Sequence, residues 1–255
     1  MTTYNFLVDE RHNNFVNAFQ SLASTIETST LEQQKNIREG FLAMSNACTA
    51  YGQQNNLTWP FVALKYFEMY GANLRKQSLI EAFWIAHRVT HENLDAYLAW
   101  VDENYEAEVP ESFEIDPTTK QYFEGGRYHP SLHIKTSEGF VKDYDRPVYY
   151  PLYQQSPAMF NYLLVNYNLQ GVQDYVDVID ASLALQNETV FTRVRHYSAF
   201  TDKDHARLHS QRLQDATVDH PHSFVYYPIH EKVADTSSEI VGFVVSGAQR
   251  SCRCM

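Results

Sequence analysis

The sequence predicts an α+β fold in which helices come first and an antiparallel sheet comes later. Three observations carry this. A helical apolar stripe opens the chain, two alternating strands joined by a short polar link close it, and no strand-helix alternation implies a parallel nucleotide-binding sheet. With 255 residues, 44% of them hydrophobic and 14% aromatic, the chain has ample material for a core. A disordered chain is excluded.

The elements follow in order. From Asn5 to Ser29, Val8, Phe15, Phe19, Leu22 and Ile26 fall on one helical stripe, with His12 in the remaining seam position. Such a seam suits a paired stalk and a helix laid along a bundle equally. A second helix is predicted from Leu31 to Gln53, capped by Thr30, with Gly40 weakening its middle by roughly 1 kcal/mol. Trp59 to Tyr70 reads as an extended segment closed by Gly71. Leu79, Phe83, Ala86, Val89, Leu94, Tyr97, Leu98 and Val101 then predict a long helical region from Leu74 to Tyr105, with a break near His91.

Between Val109 and Pro147 proline, glycine and charge mix, so this is a connection with one or two short strands and a turn at Gly125-Gly126. Tyr162 to Asn168 reads as a strand, Val172 to Leu185 as a helix, and Thr189 to Val194 as a strand. Ser223 to His230 and Ile240 to Val245 flank the polar tip Asp235-Thr236-Ser237-Ser238, which predicts an antiparallel hairpin.

Charge narrows the partners. With 20 Lys plus Arg against 31 Asp plus Glu, the formal charge of -11 repels phosphate backbones, so nucleic acid is not expected as a partner. No run of 18 apolar residues exists, and no membrane span is expected. Met1-Thr2-Thr3-Tyr4 lacks the basic start and apolar block of a secretory signal, which taken literally means a soluble, cytosolic chain. Asn56-Leu57-Thr58 and Asn187-Glu188-Thr189, both glycosylation acceptor patterns, fit an exported domain instead. The three cysteines, Cys48, Cys252 and Cys254, leave at least one unpaired within the chain.

Catalytic chemistry is sparse in the sequence. It has no phosphate-cradling glycine loop, nucleophile elbow or paired-cysteine motif, so no catalytic residue and no cofactor is assigned. His205 and His209 stand one helical turn apart, but Ala206 replaces the glutamate of a metalloprotease helix and no third ligand is convincingly spaced. No metal site is assigned. Asp143, Asp145 and Asp180 read as exposed loop charge.

Two proline-fixed aromatic strings are more specific. Proline locks its own backbone and extends the preceding residue, so both strings are stiff. Trp59-Pro60-Phe61-Val62, followed by Phe67-Glu68 and Gly71, and Tyr150-Pro151-Leu152-Tyr153-Gln154-Gln155-Ser156-Pro157 resemble segments of the extracellular sensor region of receptor-type adenylate/guanylate cyclases of microalgae. Tyr153 stands where that family usually has tryptophan. His222-Ser223-Phe224, Tyr227-Pro228-Ile229 and Ile240-Val241-Gly242 are similar to the family's last hairpin.

The resemblance implies a helical stalk over residues 1–58, a PAS-like sensor domain related to the CHASE class over 59–247, and an irregular tail over 248–255. It further implies signal transduction from the extracellular side of a membrane, by a glycoprotein that binds an unidentified small molecule. Trp59, Phe61, Tyr153, Gln154, Ser156 and Tyr226 are the expected ligand-binding residues. Because the family's membrane helices and cyclase domain have no counterpart here, the resemblance implies listening without catalysis. A homodimer through the N-terminal helix is expected if the seam does not pack on the chain's own body. The competing expectations are a stand-alone hydrolase and a remnant that binds nothing.

Overall fold

The computed structural model describes residues 2–78, 80, 82–104, 123–124, 127–128, 131–136, 139–156, 165–171, 173–186, 188–192, 195–196 and 221–249. The fold is α+β. One continuous helix, α1 (Thr2–Gln54), opens the chain, and α2 (Phe67–Ser78) follows it. Next come β1 (Ala82–His87), β2 (Val89–Thr90), a 3-10 turn at His91–Asn93 and α3 (Leu94–Asn104).

Two small hairpins come next, β3 (Phe123–Glu124) with β4 (Arg127–Tyr128), and β5 (His133–Thr136) with β6 (Gly139–Lys142). They are followed by β7 (Val148–Tyr149), β8 (Leu152–Ser156) and α4 (Gln173–Leu185). The described elements end with β9 (Val190–Phe191), β10 (Arg195–His196), β11 (Pro221–His230) and β12 (Ile240–Gln249).

The main sheet runs β10-β11-β12-β1-β8, with β9 also on β11, and its pairings are antiparallel. The expected hairpin of Ser223–His230 with Ile240–Val245 is present, with Tyr226 opposite Val245 and Tyr227 opposite Val244. Alternation along β11 then sends Val225, Tyr227 and Ile229 to one face and Tyr226 to the other.

On the first face α1 and α2 pack through Ile37, Phe41, Met44, Cys48 and Phe67. On the second, α4 packs through Tyr175, Val178 and Ile179 against Trp84, Tyr226 and Phe243. A third cluster joins α3 to the end of the sheet through Val89, Tyr97, Val101, Tyr149 and Tyr153.

Several expectations are corrected. Thr30 does not cap a second helix: α1 passes through it, and its hydroxyl donates to the Ile26 carbonyl at 2.8 Å. Neither glycine nor proline interrupts residues 27–36, and back-bonding hydroxyls let Thr25 and Thr30 sit inside a helix. The helix predicted from Leu74 to Tyr105 is instead the end of α2, two strands and α3. β1 is buried at all six positions because it lies inside the sheet with helices over both faces, so its sequence shows no period of two.

The segment read as extended up to Tyr70 turns helical at Phe67. Gly71 lies inside α2, at a position where a Cβ would collide with the Ser156 side chain on β8. Asp143 is buried rather than exposed, accepting from Arg146 Nε and Asn168 Nδ2, each at 2.7 Å. Asp145 and Asp180 are exposed. The strand expected at Tyr162–Asn168 lies partly outside the described residues, and Val165–Asn168 forms a turn and two isolated bridges.

The long helix has two distinct halves. Residues 14–36 are exposed, apart from the half-buried Val16, with Phe15 at 69% and Phe19 at 62%. From Ile37 onward the helix is seated on the sheet. There the Ser45 hydroxyl donates to the Pro228 carbonyl at 3.0 Å, and that of Thr49 to the His230 carbonyl at 2.7 Å. Burial pushes the Cys48 thiol in this half up to about 12, so it behaves as a small apolar side chain. No described helix is long and apolar enough to cross a membrane.

Candidate functional site

The last turn of α1 ends at Gln54, and Asn56, with φ of 52°, reverses the chain. The left-handed conformation is one asparagine tolerates, and it lets the Leu57 amide bond the Gly52 carbonyl at 2.9 Å. The chain then passes through a cis Trp59-Pro60 bond and lies against the tip of the β11–β12 hairpin. A cleft of about 430 Å³ opens at this junction, within the range of small-molecule sites.

Leu57, Trp59, Pro60 and Val241 give the cleft apolar walls, and Gln53, Thr58, Thr90 and Asn93 add neutral polar groups. Its charged groups balance: Arg88 and Lys232 stand against Glu231 and Glu239. Arg88 is held in place, its amide donating to the Val241 carbonyl at 2.9 Å and its Nη1 to Glu239 Oε1 at 2.6 Å. The Tyr150 hydroxyl also meets this guanidinium; burial raises the phenol's pKa, and Arg88 opposes the rise. Gln53 of α1 reaches the hairpin directly, donating to the Glu231 carbonyl at 3.3 Å.

Behind the cleft wall lies His87, the last residue of β1, with no exposed surface. Four aromatic rings surround its imidazole, with centroids at 5.5 Å for Trp59, 5.7 Å for Tyr97, 6.0 Å for Trp100 and 5.3 Å for Tyr153. Neither ring nitrogen makes a hydrogen bond of ordinary length among the described residues, and the Tyr97 hydroxyl is in the same position. Burial pushes the imidazole down to about 3, offset in part by the Val62 backbone. It also raises the Tyr97 phenol and pushes that of Tyr153 up to about 12.

The six residues expected to bind ligand are not all brought together. Trp59 lines the cleft and contacts His87, Tyr153 is in the box behind it, and Phe61 meets Trp100 edge-on at 6.0 Å. Gln154 has both amide atoms engaged, its Oε1 accepting from the Leu64 amide at 2.8 Å and its Nε2 donating to the Leu64 carbonyl at 2.9 Å. Ser156 is fully buried and accepts from Arg75 Nε at 3.1 Å. Tyr226 lies on the opposite face of the sheet, against Tyr175 at 6.1 Å and Phe243 at 6.4 Å.

Tyr153 can share a face with Gln154 because the β1–β8 register shifts between Ile85 and Ala86. Sequence reasoning missed His87, Arg88, Asn93, Glu231 and Glu239. Their only local signal is the hairpin tip, which placed Glu231 and Glu239 beside one loop. His205 and His209 lie outside the described residues, and among those described no three His, Cys, Asp or Glu side chains converge.

A comparison with protein-family models finds no match, and neither does one with curated protein sequences.

Proposed function

We propose that this chain is a ligand-sensing domain, of the kind its sequence resembles in the extracellular part of receptor-type nucleotide cyclases, and that the sensed molecule occupies the cleft at the end of α1. The observation that carries the reading is the position of the cleft. Gln53, in the last turn of the 53-residue helix, shares the lining with the Trp59-Pro60 turn and the hairpin tip. A molecule bound there meets the end of the helix and can favour one arrangement of it over another, which is the thermodynamic requirement for signalling.

The balanced charges and the Trp59 wall suit a small polar molecule carrying both signs of charge, or neither. The net charge of -11 disfavours an anion. On this reading the protein is a glycoprotein facing outward, and the exposed Asn56 is its acceptor next to the cleft.

The test is a thermal-shift panel at pH 7.5 of free amino acids, amines, sugars and nucleosides against the full chain and Asn93→Trp. Asn93 is exposed at the 3-10 turn, and a bulky ring there would obstruct the cleft. A binder at a hundredfold excess over its Kd stabilises by about 2.7 kcal/mol, which for a chain of this size raises Tm by roughly 5–10 °C. That shift is expected in the parent and not in Asn93→Trp. No shift in the parent, or equal shifts in both, would sink the proposal.

The exposed half of α1 suggests how the output travels. Phe15, Phe19, Leu22 and Ile26 are each more than half exposed, at heptad-like spacings of four, three and four. No charged residue occurs from Asn13 to Ile26, so like charges do not oppose self-pairing along this stretch. We propose a weak homodimer through this seam, since four apolar side chains are few beside the roughly 20–30 residues a side of a standard interface. Sedimentation over a concentration series should show association in the parent and a monomer in Phe19→Glu. Concentration-independent monomers in both would exclude it.

A further inference from the structure

The box behind the cleft places a fully buried imidazole against two cleft residues at once. His87 touches Trp59 across space and precedes Arg88 in the chain, and both neighbours line the cavity. We propose that His87 and its four rings form an acid-sensitive latch on the cleft: proton uptake by the imidazole opens the box, withdraws Trp59 from the wall and releases the bound molecule. This rests on the ligand-sensing reading above.

Among the described residues the geometry leaves an imidazolium with no counter-charge, and the Val62 backbone offsets its burial only in part. Tyr97 and Trp100 of α3, Tyr153 of β8 and Trp59 of the turn face the ring. Of these only the two tyrosines titrate, and burial keeps their phenols neutral. The carboxylates of α3 do not help: Asp95 and Glu103 are exposed. Asp102 lies on a different side of that helix from Tyr97 and Trp100 at about 100° per residue. Just past the end of β1, Arg88 is positive and paired with Glu239. Across the ladder His87 faces Gly242, which has no side chain. Attraction of a cation to ring faces is weaker than the desolvation of an unpaired charge.

The sign follows from linkage. The closed box holds the imidazole neutral down to about 3, whereas an exposed histidine takes up its proton near 6.5. Below about pH 6.5 the open form therefore binds a proton that the closed form does not. The closed-to-open ratio falls about tenfold per pH unit, until the closed form also protonates.

The experiment uses the full chain and His87→Phe, which keeps a ring in the box without a titrating group. Acrylamide quenching of tryptophan fluorescence, followed from pH 7.5 to 4 with far-UV circular dichroism alongside, reports the three tryptophans, of which Trp59 and Trp100 belong to the box and Trp84 to the cluster under α4. Quenching should rise below about pH 6 in the parent while helix and sheet signals hold. In His87→Phe the rise should move at least one pH unit lower. Coincident curves overturn the latch, as does loss of the dichroism signal at the same pH as the rise in quenching.

If His87→Phe does not fold, the histidine ¹⁵N signals of the parent decide instead. A His87 that titrates near 6.5 with the indole signals unmoved overturns the proposal. The compounds that bind at pH 7.5 are then measured at pH 5, with at least tenfold weaker affinity expected. Equal affinity at both values overturns the latch and leaves the sensing reading standing. Absence of any binder at pH 7.5 overturns the sensing reading and the release step together, while the quenching curves still decide whether the box opens.

Discussion

Phe41→Ala is expected to lower the unfolding free energy by about 3–5 kcal/mol, a large part of the 5–15 kcal/mol typical of a folded domain. Phe41 is fully buried near the start of the seated half of α1, its ring 5.2 Å from that of Phe83 on β1. Truncation removes the contact that joins the long helix to the inner strand of the sheet. It leaves a cavity that its neighbours Met44 and Cys48, fixed on the same helix, can fill only in part. Urea unfolding followed by circular dichroism measures the effect, and a loss below about 1 kcal/mol would mean that α1 is not held to the sheet in this way. Because the cleft lies at the end of this half, a destabilised junction should also weaken whatever coupling runs along α1.

Gln154→Leu should cost about 2–6 kcal/mol, although leucine is of similar size and more apolar. The Gln154 amide acts as a one-residue strand partner for Leu64, and Leu64 is 5% exposed. Removing it strands one backbone donor and one acceptor away from water, each costing about 1–3 kcal/mol. Gln154→Glu keeps the acceptor for the Leu64 N–H and loses the donor to its carbonyl at neutral pH, so on hydrogen bonding alone it should fall between the parent and the leucine variant. Amide hydrogen exchange at Leu64 gives a second measure, with protection in the parent and rapid exchange in Gln154→Leu. Unchanged stability and unchanged protection in Gln154→Leu would refute this role for the Gln154 amide.

The sequence by itself determined the fold class, the closing hairpin and α4, because each rests on local periodicity. The polar tip at Asp235–Ser238 is one such case: Ser237 donates to Asp235 through both its amide and its hydroxyl, a turn that four residues specify among themselves. It also determined the apolar seam of α1, where Phe15, Phe19, Leu22 and Ile26 are exposed at the helix surface.

Only the tertiary structure decided the rest. β1 reads as helix in isolation because both of its faces are covered, and burial on both sides erases the alternation that identifies a strand. Gly71 reads as the close of an extended segment until Ser156 is found in the space its side chain would need. Gln154 and Ser156 stand in the second proline-fixed string, but what they bond, Leu64 and Arg75, lies 90 and 81 residues away in the chain. The cleft and the His87 box were least legible of all. Their residues come from the end of α1, the Trp59-Pro60 turn, β1, α3, β8 and the hairpin tip, and no spacing in one dimension encodes which strand ends and helix faces a sheet brings together in three.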